Sequence, residues 1–257
     1  MIDLHCHILP GIDDGPRTME DTLELARASI AAGTATIVAT PHVSWDYPDN
    51  TSQLIAQKVD EVNAVLRDQR LDLEVRPGAE VALTRALDLS DAELSALTLG
   101  GGPWLLLECP LSPVAVGVEE AVQALRRRGH EQLVLAHPER VPAFQRDPEL
   151  LARLVDSGLL TSVTAGAFTG DFGKDVQRFA RKLLADGLVH DVASDAHSTT
   201  RRPPAVGPPL QEAGLDANQV DHLARAVPLA ILQGVALPAA PAMPEPRRGF
   251  LSRLRSR

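Results

Sequence analysis

Cysteine is scarce in this 257-residue sequence, with only Cys6 and Cys109. Two thiols fit a reducing compartment, where disulfides do not persist. Neither opens a thiolate phosphate-binding loop, which needs cysteine, five residues and then arginine: six positions on from Cys6 stands Ile12, and six on from Cys109 stands Ala115. A Walker-type phosphate loop is also missing, because Gly100-Gly101-Gly102-Pro103 lacks the Lys-Ser/Thr that completes one; it reads as a turn before a strand. The first residues show no basic region followed by an apolar run and a cleavage site, and no stretch is long and apolar enough to span a bilayer, so a cytoplasmic location is expected. Positive charge is in deficit, with 25 Lys+Arg against 34 Asp+Glu and a net −9, which argues against broad affinity for nucleic acid. Aromatics make up only 3%, but 44% apolar and 23% charged residues place the chain among ordinary globular proteins rather than disordered or fibrous ones.

The negative charge is unevenly placed. From Pro238 to Arg257 five arginines oppose one glutamate, so taking this +4 from the net −9 leaves −13 on residues 1–237. The tail is Pro/Ala-rich and then basic, too poor in apolar residues to fold alone. The expected organisation is one catalytic domain over residues 1–237 followed by a disordered tail over 238–257.

Within the domain, short β-rich apolar runs alternate with stretches of period near 3.6, the signature of βα units around a parallel sheet. Seven strands are predicted: Ile2–His7, Ala35–Pro41, Leu73–Ala79, Trp104–Cys109, Gln132–His137, Leu160–Ala165 and Val189–Ser194. Helices are predicted over Met19–Ala32 after Thr18, from the Ser90/Glu93 capping box, and from Asp147-Pro148 to Gly158. Others run near Asn50–Gln69, Val118–Arg128, Lys174–Ala185 and Ala217–Ala226. Seven repeats predict a barrel one strand short of the usual eight.

Reactive groups in such a barrel gather at the C-terminal strand ends. Here those ends carry His5-Cys6-His7, His42, Glu80, Glu108, His137 and Asp195-Ala196-His197; the sixth strand, ending Thr164-Ala165-Gly166, offers none. Strand residues two apart share a face, so His5 projects with His7 and Asp195 with His197, while Cys6 faces away into packing. Asp13 and Asp14 follow strand one, and either could reach the same point. Any one of these histidines alone would more often be structural, but their convergence on one end of one barrel predicts a metal site. His130, His190 and His222 fall elsewhere and are assigned no chemistry.

The ordered set His5-Cys6-His7, Ile-Asp-Asp-Gly-Pro, Thr-Pro-His, Pro-Gly-Ala-Glu-Val, Ala-His-Pro-Glu-Arg and Ser-Asp-Ala-His resembles the PHP (polymerase and histidinol phosphatase) superfamily. Within it the chain is most similar to the bacterial capsular-polysaccharide-type tyrosine-protein phosphatases, over Met1 to about Gly234. The resemblance implies an α/β fold, a distorted seven-stranded (β/α)7 barrel, with three divalent ions held by His5, His7, Asp14, His42, Glu80, Glu108, His137, Asp195 and His197. It favours Asp14 over Asp13, and it places Arg140 and Arg202 near the phosphate. The chain departs from the family at Ser198 and Thr164, where asparagine is common.

Four carboxylates and three divalent ions leave roughly +2 at such a site, which suits a phosphate dianion. Nitrogen and oxygen donors without thiolate favour Mn²⁺ first, then iron or Zn²⁺, with Mg²⁺ less suited to five histidines. The expected activity is hydrolysis of protein phosphotyrosine by a metal-activated hydroxide, in regulation of exopolysaccharide or capsule synthesis. A membrane-anchored bacterial tyrosine kinase is a candidate partner, and the basic tail a candidate for weak contact with a membrane surface. The competing readings are a small-molecule phosphatase of the histidinol-phosphate type, a phosphodiesterase of the same superfamily, and a scaffold without activity.

Overall fold

The structure, a computed structural model, describes residues 1–113 and 117–243. The strands are parallel, as the βα alternation predicts, and the apolar runs explain why: β1 (Ile2–Cys6) is buried at every position, as expected where helices cover a parallel sheet. β1 pairs with β2 (Thr36–Ala39), and β2 with β4 (Glu74–Pro77), in one three-stranded sheet. A second sheet holds six strands in the order β3 (His42–Val43), β5 (Glu80–Ala82), β6 (Leu105–Glu108), β7 (Leu133–Ala136), β8 (Leu160–Thr164) and β9 (Asp191–Ala193).

The closed seven-stranded barrel expected from the sequence is therefore not what forms. Two of the predicted strands each split in two, giving β2 and β3 from one, β4 and β5 from the other. The breaks fall at Thr40-Pro41 and at Gly78-Ala79, the first at a proline and the second just after Pro77, and proline has no N–H to continue a ladder. Gly78 also lets the chains close up, since a Cβ there would lie 2.6 Å from Val38 Cγ1. Past the breaks the strands re-pair in the second sheet, with His42 beside Glu80 in register. β9 meets β1 through the lone bridge Cys6 to Ala196, Asp195 N donating to His5 O at 2.8 Å and His7 N to Ala196 O at 2.9 Å. Further along β1, Ser194 N also donates to Asp3 Oδ1 at 3.0 Å.

Alternate strand residues enter two apolar clusters. Leu4, Val38, Leu106 and Val134 face inward onto Val227, Ile231 and Leu232, while Leu105, Leu107, Leu133 and Leu135 face the surrounding helices. The helix Ser52–Asp68 shows how those helices attach: Ile55, Val59, Val62 and Leu66 recur every three or four residues and are buried, each worth roughly 1.5–3 kcal/mol against exposure. Caps fix the starts, with Thr18 and Asp21 and again Ser90 and Glu93 forming reciprocal capping boxes. The last helical region runs further than predicted. Ala217–Asp221 passes through a π turn, His222–Ala226, into Val227–Gln233; the wider turn accommodates Pro228, which cannot donate to the preceding turn. Residues 238–243 are coil, with Gln219 Nε2 donating to Ala242 O at 2.6 Å and Met243 packed on the core. The basic part of the tail, 244–257, lies outside the described residues. Among the described residues no helix is long and apolar enough to cross a membrane.

Candidate metal centre

All nine residues named as ligands gather on one mouth of the fold, at or just beyond the C-terminal ends of β1, β2, β4, β6, β7 and β9. His5 ends on β1 with His7 just beyond, and Asp14 stands in the loop that follows. His42 opens β3, Glu80 opens β5, Glu108 closes β6, and His137, Asp195 and His197 follow β7 and β9. His5 and His7 do share a face, with their Nε2 atoms 3.3 Å apart, and Cys6 between them is buried in packing. Asp195 and His197 also converge, Oδ1 to Nδ1 3.6 Å, but for a different reason from strand alternation. β9 has already ended, and Asp195 takes a left-handed φ of 50°. His137 does likewise at 34°. Non-glycine residues seldom adopt this conformation, and it concentrates where a site dictates the side-chain direction.

Glu80 is the hub. Its Oε1 lies 2.8 Å from His137 Nε2 and 3.3 Å from His5 Nε2; its Oε2 lies 2.9 Å from His42 Nδ1 and 3.4 Å from His7 Nε2. Glu108 stands 3.7 Å from both His42 and His137. Asp14 Oδ1 is 3.0 Å from His197 Nε2 and 3.5 Å from His42 Nε2. Donor atoms within 4.8 Å of one another form three overlapping groups among the described residues: His7, Asp14, His42 and His197; His5, His7 and Glu80; His42, Glu80 and Glu108. The donor set fits hard or borderline divalent cations. Glu80 Oε2 and His197 Nε2 are buried and, although 2.9 Å from His42 Nδ1 and 3.0 Å from Asp14 Oδ1, make no hydrogen bond of good geometry, and such atoms are costly unless something satisfies them.

The electrostatics follow from this crowding. Burial alone would raise the Glu80 and Asp195 carboxyls, but the histidines hold both well below the usual carboxylate range, His5 foremost. Burial and the charge of Glu80 push Glu108 upward. Burial works to lower the imidazoles, yet Asp13 lifts His7 well above its ordinary value, and Glu80 lifts His42 and His137. His197 is lowered, by burial and by His7. Carboxylates thus favour the protonated form of His7, His42 and His137, and a bound cation would compete with those protons.

Both arginines reach the cluster. Arg140 Nη1 pairs with Asp195 Oδ2 and stacks 4.9 Å from the Phe172 ring centroid, and Arg202 spans Asp195 at 3.1 Å and Asp14 at 3.3 Å.

Asp13 has a role the sequence leaves open. Its Oδ2 accepts from His7 Nδ1 at 2.7 Å and from His42 N at 3.2 Å, and its Oδ1 from Gly15 N at 3.0 Å. It turns the other His7 nitrogen toward the cluster and fixes the loop carrying Asp14. Asn50, also unremarked in the sequence, donates to Ile12 O at 3.0 Å and His42 O at 2.8 Å. At the strand end that offers no ligand, the buried Glu139 Oε1 accepts from Thr164 N at 3.0 Å. Of the three histidines set aside, His190 Nδ1 accepts from Thr161 N at 3.2 Å, His130 lies 3.3 Å from Asp91, and His222 is on the last helical region.

A cleft of about 330 Å³ opens beside the cluster, sharing His42 and Glu108 with it and walled by Trp45, Tyr47, Thr84 and Pro110.

Known proteins resemble this arrangement. The family model described as capsular polysaccharide synthesis, CpsB/CapC, matches residues 1–230. The tyrosine-protein phosphatase YwqE of Bacillus subtilis is 36% identical over 202 residues, 79% of each chain. The tyrosine-protein phosphatase CpsB of Streptococcus pneumoniae is 30% identical over 211 residues, 79% of this chain and 86% of that one. A crystal structure from work on YwqE and CpsB, described as unique metal-dependent tyrosine phosphatases, superposes with a TM-score of 0.78 at 29% identity, covering 96% of this chain and all of the other. A phosphotriesterase homology protein of Escherichia coli, with a TM-score of 0.57 at 12% identity, shares the fold.

Proposed function

The chain belongs to the CpsB/CapC family of capsular polysaccharide synthesis, and on that premise we propose that it is a cytoplasmic, metal-dependent phosphomonoesterase hydrolysing protein phosphotyrosine in the control of capsule or exopolysaccharide synthesis. The observation that carries this reading is the convergence of five histidines, four carboxylates and two arginines on one mouth. His5, His7, Asp14, His42, Glu80, Glu108, His137, Asp195 and His197 hold three divalent ions in this proposal. The donor groups, which share His7, His42 and Glu80 and leave out His137 and Asp195, support a site for divalent ions. The count of three rests on the family resemblance, and the nitrogen-rich set supports Mn²⁺ first, then iron or Zn²⁺, with Mg²⁺ less favoured.

Bound ions supply Lewis acidity, which activates water and offsets charge on the phosphoryl oxygens. Arg140 and Arg202 add positive charge fixed in place by Asp195 and Asp14, so little reorganisation is needed when an anion arrives. Asp13 keeps the His7 ring turned inward. No covalent intermediate on sulfur is required: burial pushes the Cys6 thiol well up and the Cys109 thiol to about 12, so neither is a thiolate near neutral pH. The catalytic unit is residues 1–237, and the basic tail is the segment through which a membrane surface or a membrane-anchored tyrosine kinase would be met.

The deciding experiment compares a phosphotyrosine peptide, histidinol phosphate and a phosphodiester, each with the Mn²⁺-loaded chain. Turnover of the peptide with kcat/KM above that of the other two is expected. Absence of peptide turnover overturns the reading.

A further inference from the structure

We propose that the cleft walled by Trp45 and Tyr47 is the subsite that selects an aromatic phosphomonoester, seating the tyrosyl ring of the substrate while its phosphate reaches the histidine and carboxylate cluster. The inference rests on the phosphotyrosine reading above and names the side chains that set it. The cleft is continuous with the cluster, since His42 and Glu108 line both. The chain has one tyrosine and two tryptophans, and the tyrosine and one tryptophan stand on this wall. Trp45 is 58% exposed, more than any other large apolar side chain among the described residues. The Tyr47 ring lies parallel to the His42 imidazole, within 9° and 5.7 Å between centroids, so a flat aromatic surface leads from the cluster outward. The Arg85 guanidinium sits 4.5 Å from the Trp45 ring centroid and braces the indole from one side.

A ring entering between these walls gains offset or edge contacts with Trp45 and Tyr47. A phosphoserine side chain brings no ring, and its peptide backbone would have to enter the cleft itself to bring phosphorus to the same point.

The test uses the Mn²⁺-loaded full chain and two peptides identical except for phosphotyrosine or phosphoserine, with kcat and KM measured separately for wild type, Trp45→Ala, Tyr47→Leu and Tyr47→Phe. The difference in leaving group is common to every variant and cancels when the phosphotyrosine-to-phosphoserine ratio of kcat/KM is compared between them. That ratio is expected to fall about three- to tenfold in Trp45→Ala and Tyr47→Leu, mainly through KM, and to hold in Tyr47→Phe, which keeps the ring. Elemental analysis of each preparation shows whether His42 still serves the metal. An unchanged ratio in both ring-deleted variants at wild-type metal content overturns the subsite and leaves the phosphotyrosine reading standing. A fall in Tyr47→Phe as large as in Tyr47→Leu also overturns it, because the ring would then not be what matters. A wild-type chain that turns over neither peptide overturns the phosphotyrosine reading, and the subsite with it.

Discussion

Along β1 and β9 the chain buries carboxylates at two levels, and the levels differ in what faces them. At the outer level Asp195, with Glu80 from β5, meets imidazoles, and both acids are held well below the ordinary carboxylate range against the effect of burial. One step inward, Asp3 meets Ser194, whose Oγ donates at 2.5 Å, and Asp191 meets Ser162, whose Oγ donates at 2.6 Å. Hydroxyls satisfy hydrogen bonds without compensating charge. Burial therefore dominates, raising Asp3 and pushing Asp191 up to about 8. A buried carboxyl is thus held below its ordinary range where histidines face it and raised above it where serine does. The outer level is the one whose carboxyls are held ready for a cation.

The sharpest way to break this contrast is to make the outer hub neutral as well. Glu80→Gln keeps the shape but removes the charge shared among four histidines. Loss of bound metal, and a fall in turnover on the order of 10³-fold, are expected; elemental analysis beside steady-state rates checks both. A variant that kept its metal and its rate would show that Glu80 is not the hub. Arg140→Ala acts at the same level but on the substrate side. Here kcat/KM should fall about 10²-fold with metal content unchanged, so the two measurements separate ion binding from phosphate binding. Asp13→Ala should be milder still. Removing the acceptor at His7 Nδ1 weakens metal affinity about ten- to a hundredfold, seen as a higher Mn²⁺ concentration for half-maximal rate, with the maximum approached at excess metal.

The outer level was the readable one, and the reason is local. A buried parallel strand is a short apolar run, and a histidine or acid at its end stands out against it, as at His5, Glu108 and His137. What escaped depends on contacts between segments distant in sequence. Pro41 and Pro77 are visible, but not that they divide two strands between two sheets, which replaces the expected closed barrel. Asp195 and His197 were paired by strand alternation, whereas a left-handed turn at Asp195 brings them together. Asp13 and Asp14 are adjacent acids that no period distinguishes, and only the position of His7 Nδ1 separates a positioning role from a ligand-facing one. The short helices Leu83–Ala86, Pro142–Arg146, Ala165–Thr169 and Gly207–Glu212 are too brief to show a 3.6 period. The inner acids Asp3 and Asp191 fall inside predicted strands, and nothing local announces that each faces a serine, Ser194 and Ser162.

The inner level gives the smallest effect, visible only through pH. Asp191 keeps its proton in the folded chain up to about 8, while in the unfolded chain it ionises near its ordinary 3.8. Between those values the folded state binds one more proton than the unfolded state, so Asp191 makes stability fall as pH rises, by at most about 1.4 kcal/mol per pH unit. Its contribution is fully present below the unfolded value and is lost as pH climbs through the folded one. Asn at this position cannot titrate and still accepts from Ser162, so Asp191→Asn should remove that slope. It also removes the repulsion Asp191 exerts on Asp3 once ionised. In denaturant unfolding of metal-free protein, the variant should gain on wild type by up to about 1.4 kcal/mol between pH 6 and pH 7. Parallel stability profiles for the two proteins over that interval would show that Asp191 is ionised in the folded chain, and the contrast between the two levels would then rest on Asp3 alone.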